Sequence, residues 1–512
     1  MLFNSYIFVF AFMPICLIGF YLLERVFKAP KCAKVFLTLM SLWFYGYFNL
    51  NYLAIMLFSI AFNFVMYKLM MSKKSSDNVK IRRTVMIVGV LVNVGLLFYF
   101  KYFDFFISNC NAIFGTEIPL KNILLPLGIS FFTFQQIGFL TDSYRGEIPE
   151  CDIIDYSLFV SFFPQLIAGP IVNHDEMLPQ FAAIGKREFN TEKFARGIYI
   201  FVLGMGKKVL LADTFGKAVD FAYMDVTGIN ATESLLTILF YTLQLYFDFS
   251  GYCDMAIGLG QLLGIDIPVN FNSPYKAVNI VDFWKRWHIT LSRFFTKNIY
   301  IPLGGNRKGA VRMYVNLFLV FFISGVWHGA GWNFILWGCM HGVLYVITRA
   351  IERLLKKRRT GEPAKAADTA QGEKKVSSRI LRVLGVIFTF IFVNIAWVYF
   401  RAPSVSVANS LISNLWNMQW AIPSEAFVDG FNLGEFWYVM KMLHLTDFAF
   451  SKYILAVAFT VFALVLTFFG KNVHELADGS KYKAITAIGL AIMFVWCVVS
   501  LAGVSTFLYF NF

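Results

Sequence analysis

Six histidines punctuate a strongly apolar chain, at positions 174, 288, 328, 341, 444 and 474. An ionisable side chain inside an apolar run is expensive and therefore a functional candidate by default, and a neutral imidazole can take or give a proton near neutral pH. His328 is the sharpest case. It ends the run VNLFLVFFISGVW and precedes GAGW, so Gly325, Gly329, Ala330 and Gly331 leave room for a substrate to approach the ring. The competing reading is a structural imidazole bonded to a carbonyl between helices, and the residue types leave both open. His288 stands forty residues earlier, in DFWKRWHITLSRFF, among Asp282, Trp284, Lys285, Arg286, Trp287, Phe294 and Phe295. Such a mixture of cations and rings suits a substrate-binding segment, or a plain amphipathic helix dipping into a membrane face. The separation lets two neighbouring helices bring His288 and His328 together. Trp327, Trp284, Trp287 and Arg286 are the substrate contacts expected around them. His341, thirteen residues after His328, falls off its face at about 100° per residue and reads as packing or as a supporting contact behind the site. His174, His444 and His474 read as loop or interface residues.

Two glycine-containing stretches invite a phosphate reading. YIPLGGNRKGAVR (300–312) offers backbone N–H groups at Gly304 and Gly305 with Asn306, Arg307, Lys308 and Arg312 beside them. Such a turn can hold phosphates of a coenzyme A thioester, or it is a plain basic anchor. GLGQLLG (258–264) lacks a dinucleotide fingerprint, and close helix packing by small residues explains it better. The chain ends STFLYFNF. Tyr509 is either an aromatic belt residue or a phenol that receives a group and passes it on. The seven cysteines show no CxxC spacing, which points to free thiols and no metal site.

The elements that must position these residues are membrane helices. The chain is 58% hydrophobic and 15% charged, against about 45–50% and about 25% in soluble domains. A membrane helix needs roughly 20 mostly apolar residues. Spans are expected at 3–24, 33–50, 52–71, 84–101, 312–327, 333–348, 380–400, 453–469 and 484–506. The stretch 122–265 is apolar but interrupted by Pro126, Pro164, Pro170, Lys207, Lys208 and Asp248, and reads as three to five further spans with re-entrant pieces. Irregular backbone at membrane depth needs protein or a water-filled cavity around it. The expected fold is thus all-α and polytopic, with roughly 11–13 transmembrane or re-entrant helices. Its organisation is a core over 1–350, a flexible cytosolic loop over 351–379, and C-terminal helices over 380–512 with an extracytoplasmic loop at 402–451. The first apolar run has no basic leader or cleavage signature and reads as the first span. Lys and Arg crowd the loops at 25–34, 73–83, 349–379 and 471–483, which the positive-inside rule makes cytoplasmic, with both termini outside. The net charge of +14 then suits anionic membrane lipid, and basic residues scattered over separate loops argue against nucleic acid.

LPLGISFFTFQQIGFLTDSYRG (125–146), FFPQLIAGPI (162–171), GKKVLLAD (206–213), LQLYFDFSGYCDMAIGLGQLLGIDIPVNFNSPY (243–275), DFWKRWHITLSRFF (282–295), YIPLGGNRKG (300–309), GVWHGAGWNFILWGCMHG (325–342) and WVYFRA (397–402) follow one another in the chain. Together they resemble the membrane-bound O-acyltransferase family, in its alginate and peptidoglycan O-acetyltransferase branch. The resemblance implies a bacterial inner-membrane enzyme with a central tunnel. It maps the invariant histidine onto His328 as general base and the more variable second position onto His288, with Lys285 in place of the usual arginine. It implies acetyl-CoA as donor, no bound cofactor, and a polysaccharide acceptor reached through an extracytoplasmic serine-esterase-like partner. Tyr509 is then the acyl carrier. D-alanyl transfer to teichoic acid from a carrier-protein thioester is the alternative within the family, acylation of a lipid or protein another within the superfamily, and a transporter the alternative outside it.

Overall fold

The computed structural model describes residues 1–72, 78–360, 371–432, 434, 437–444, 450–479, 484–501 and 507–508. Among them every regular element is helical. Seven helices are long and apolar enough to cross a membrane: Phe8–Val26, Leu50–Met71, Val79–Phe114, Ala310–His328, Trp332–Leu355, Arg379–Arg401 and Ser451–Phe468. Shorter helices, Pro30–Gly46 and Ala484–Ser500, stand where two more spans are expected. The apolar stretch after residue 122 is divided into Ile129–Arg145, Ile153–Ser161, His174–Ala182, Thr191–Gly206, Asp213–Met224 and Ala231–Leu262. Its breaks have local causes: Pro164 opens a four-residue turn, and the helix after Gly206 widens into a π-turn over Lys207–Ala212.

The segment expected to be a flexible loop is narrower than its composition suggests. Helix Trp332–Thr360 runs into it from one side and Gln371–Arg401 from the other. Leu, Lys, Arg, Glu and Gln are good helix formers even where nothing packs on them.

Contacts divide the chain into two units. One comprises Met1–Lys208, Phe249–Val269 and the described residues from Ala477 onward. Phe3, Phe8, Phe12, Phe44 and Phe163 pack together here. Asn63 and Asn93 satisfy each other between two helices, with N–H···O distances of 3.2 and 2.6 Å. Glycines let helices touch: a Cβ on Gly258 would lie 2.7 Å from the Gly197 carbonyl oxygen, and one on Gly251 2.7 Å from that of Gly204. That is the small-residue packing expected of GLGQLLG. His174, expected in a loop or at an interface, opens the helix His174–Ala182. It is buried, with Nδ1 3.2 Å from Asp142 Oδ2.

The other unit comprises Val209–Asp248 and Asn270–Leu476. Its frame is an antiparallel hairpin of Ala310–His328 and Trp332–Thr360. The hairpin is tight because Gly325 and Gly338 meet backbone to backbone: a Cβ on Gly325 would lie 2.5 Å from the Phe334 oxygen, and one on Gly338 2.6 Å from the Phe321 oxygen. Asn333 ties the next helix to its closed end, donating to the carbonyls of Tyr399 (3.2 Å) and Ala402 (2.9 Å). Against the hairpin lie the short helices Ile280–Trp284 and Ile289–Phe295.

Candidate active site

His328 is the last residue of its helix and is 4% exposed. Rings enclose it: Trp327 at 4.8 Å, Trp337 at 4.9 Å and Phe400 at 5.2 Å between centroids. Trp327 also neighbours His288, centroid to centroid 6.5 Å. The two histidines singled out in the sequence therefore share one indole as a neighbour. The neighbouring glycines have a different task from the one expected of them. Gly325 admits the second helix of the hairpin, and a Cβ on Gly329 would strike the Phe334 ring at 2.2 Å. They make room for protein, and by doing so fix where His328 stands.

His288 does not continue a helix. It sits at φ +45° and ψ +53°, between the two short helices, where a non-glycine residue is uncommon. The expected single amphipathic segment is thus broken at its histidine. The break is pinned by Asn270, whose backbone carbonyl accepts from Ile289 N–H at 3.0 Å. The Asn270 side-chain oxygen accepts from Thr290 N–H at 3.2 Å and Thr290 Oγ1–H at 2.9 Å, and lies 3.2 Å from His288 Nδ1. Burial lowers the pKa of His288 from 6.5 to about 3, so the ring is neutral at physiological pH.

A cavity of about 880 Å³ opens beside the His328 helix. Its lining runs along that helix from Met313 to Ser324, about 17 Å of axis, and stops one turn, about 6 Å, short of His328. Trp284, Phe321 and Ser324 line it toward that end. Tyr345, Arg349 and Arg353 line it on the second helix of the hairpin, and Lys285, Arg293 and Lys297 add charge from the short-helix segment. Five cations and the single carboxylate of Glu352, which pairs with Arg349 at 3.2 Å, leave the lining net positive. Trp284 is held by its indole N–H, which donates to His341 Nδ1 at 3.2 Å. His341 is fully buried and packed against Trp284, Trp337 and Phe392.

The other expected contacts are distributed differently. Asn306 lines the cavity, whereas Arg307 and Lys308 are exposed outside its lining. The chain leaves Gly304 at φ +104°, and Lys308 folds back over that glycine. Arg286 is bonded to Asp282 at 2.9 Å and lies outside the lining. Trp287 is 3% exposed and packs on Phe271, Tyr275 and Trp397 as core. Tyr509 lies outside the described residues. Among the described residues no group of three His, Cys, Asp or Glu side chains is placed to hold a metal ion. Sequence reasoning missed Asn270, which carries no local signal. It also missed Arg293, Lys297, Arg349 and Arg353, which do: Arg349 and Arg353 recur every fourth residue after Tyr345, and Lys297 follows Arg293 at the same spacing, so each set shares one helix face.

The family model described as MBOAT, membrane-bound O-acyltransferase family, matches residues 134–372. The chain is 38% identical to a peptidoglycan O-acetyltransferase of Helicobacter pylori, covering 100% of this chain and 98% of that protein. It is 36% identical to a probable alginate O-acetylase of Pseudomonas aeruginosa, over 80% of this chain and 73% of the relative. A teichoic acid D-alanyltransferase of Bacillus subtilis is 29% identical over 54% of this chain and 68% of its own length.

Proposed function

The chain belongs to the membrane-bound O-acyltransferase family and is a multi-pass membrane acyltransferase, and on that premise we propose that it passes an acetyl group from cytosolic acetyl-CoA toward hydroxyls of an extracytoplasmic polysaccharide. The observation that carries this reading is the cationic cavity ending one turn from His328. Phosphates of the donor meet Arg293, Lys297, Arg349 and Arg353, and its thin pantetheine arm extends past Trp284 toward the histidine. The positive-inside rule puts the cationic end in the cytosol of a bacterial inner membrane and both chain termini outside.

In the chemical step the acceptor hydroxyl attacks the thioester carbonyl. His328 takes the hydroxyl proton as the C–O bond forms, the C–S bond breaks, and the proton leaves with the CoA thiolate. General base catalysis of this kind contributes about 10²–10⁴-fold. Tyr509 is the proposed first acceptor, and a serine-esterase-like partner outside the membrane completes transfer to the glycan. The relative matched from end to end is named for peptidoglycan, which makes peptidoglycan the first glycan to assay.

The test is mass spectrometry of the C-terminal peptide after incubating purified protein with isotopically labelled acetyl-CoA, for wild type and His328→Ala. Label on Tyr509 in wild type alone supports donor, base and carrier together. CoA released by wild type without label keeps the transferase and removes the tyrosine relay. Neither signal removes acetyl-CoA as donor, and a carrier-protein thioester, the donor expected for D-alanyl transfer, becomes the next substrate.

A further inference from the structure

The hydrogen bonds at Asn270 determine which nitrogen of His288 carries the proton. Thr290 N–H is a donor and nothing else, and it points at the same Asn270 side-chain atom as Thr290 Oγ1 and His288 Nδ1. That atom must therefore be the amide oxygen, since an amide NH₂ in its place would face a second donor. An amide oxygen only accepts, so the third partner, His288 Nδ1, must bear a hydrogen. A neutral imidazole has one N–H; with Nδ1 protonated, Nε2 keeps a lone pair.

We propose that Asn270 is a positioning residue that holds His288 as the Nδ1–H tautomer, so that His288 meets the substrate through Nε2 as a hydrogen-bond acceptor. Donation of an N–H from Nε2 to a developing oxyanion does not fit this arrangement. Its Nε2 instead receives an N–H or O–H: an amide of the donor's pantetheine arm, or the attacking hydroxyl. The same three bonds hold the ring in its left-handed backbone setting, so orientation and tautomer are fixed together. Asn270 is fully buried, so it acts on the reaction through His288. The tautomer stands on geometry alone; its consequence for turnover rests on the acyltransferase reading above.

The experiment is nitrogen NMR of the full chain in lipid bilayers with ¹⁵N-labelled histidine, using His288→Gln to assign the resonance by difference, alongside CoA release from acetyl-CoA. The expected wild-type spectrum shows Nδ1 protonated and Nε2 bare at His288. Asn270→Leu should lose that tautomer and at least tenfold in turnover. Asn270→Asp, which keeps an acceptor oxygen, should retain the Nδ1–H and more turnover than Asn270→Leu. Thr290→Val, which keeps Asn270 itself, should retain the tautomer and serves if Asn270→Leu does not fold. A protonated Nε2 with a bare Nδ1 in wild type overturns the proposal, as does an unchanged tautomer in folded Asn270→Leu. The expected tautomer without any CoA release supports the positioning role and removes the donor reading. CoA release with the wrong tautomer does the reverse. Donor KM rising in His288→Gln assigns Nε2 to the pantetheine amide, and a fall in kcat alone assigns it to the hydroxyl.

Discussion

His328 and His341 pack against one indole: the Trp337 ring centroid is 4.9 Å from each imidazole. His341 in turn accepts the indole N–H of Trp284, which lines the cavity. The wall of the cavity and the proposed base are thus coupled through three packed rings.

This coupling makes the His341 bond testable by rank order. His341→Asn can still accept from Trp284, whereas His341→Leu fills the space without an acceptor. A buried hydrogen bond contributes about 0.5–1.5 kcal/mol, so His341→Leu should slow transfer by up to about tenfold, with His341→Asn closer to wild type. CoA release rates decide it; a role in packing alone reverses the order.

Gly325→Ala should reduce activity by about 10²-fold, the usual scale for displacing a reacting group by about an ångström. The added methyl would lie 2.5 Å from the Phe334 carbonyl oxygen and force the hairpin apart at the turn before His328. The protein should still insert and purify. Wild-type turnover in this variant would show that the crossing does not position His328.

Arg293→Gln with Arg353→Gln should raise the KM for acetyl-CoA several-fold at nearly constant kcat, the signature of binding shared by ground and transition states. The penalty should shrink in high salt, since ionic strength already weakens the wild-type contacts. Steady-state kinetics at two salt concentrations check both.

His288 also predicts a pH dependence of stability. Its proton affinity falls on folding, from a pKa of 6.5 to about 3. Between those values the unfolded chain binds the proton and the folded chain does not, so stability is lost as pH falls below about 6.5. Thermal unfolding in detergent should show a smaller loss on acidification for His288→Gln than for wild type.

Much of this architecture is legible in the chain, because apolar runs of the right length dictate helices. The runs around 52–71, 312–327 and 380–400 match membrane-length helices at close to those limits, and the run at 333–348 starts one that continues further. His341 packs and supports its neighbours as its sequence position suggests, but its distance from His328 is not legible there. The angular argument assumes one continuous helix, but the chain turns back between His328 and Trp332, and folding over brings the two histidines to the same ring. The glycines beside His328 suggest space for a substrate because sequence shows small residues without showing what fills the gap. Arg286 and Trp287 looked like ligands from their company, but Asp282 and a ring cluster claim them first. The cavity cations come from segments far apart in the chain, and only the fold collects them.

The backbone at His288 carries one more implication. A side chain at φ +45° costs on the order of 1–2 kcal/mol where glycine costs almost nothing. His288→Gly should therefore relax the turn while removing the imidazole. A laboratory lineage selected for heat tolerance, with no demand for acyl transfer, would drift toward glycine at 288. Glycine there in an otherwise intact descendant would mark a fossil of the enzyme that no longer works.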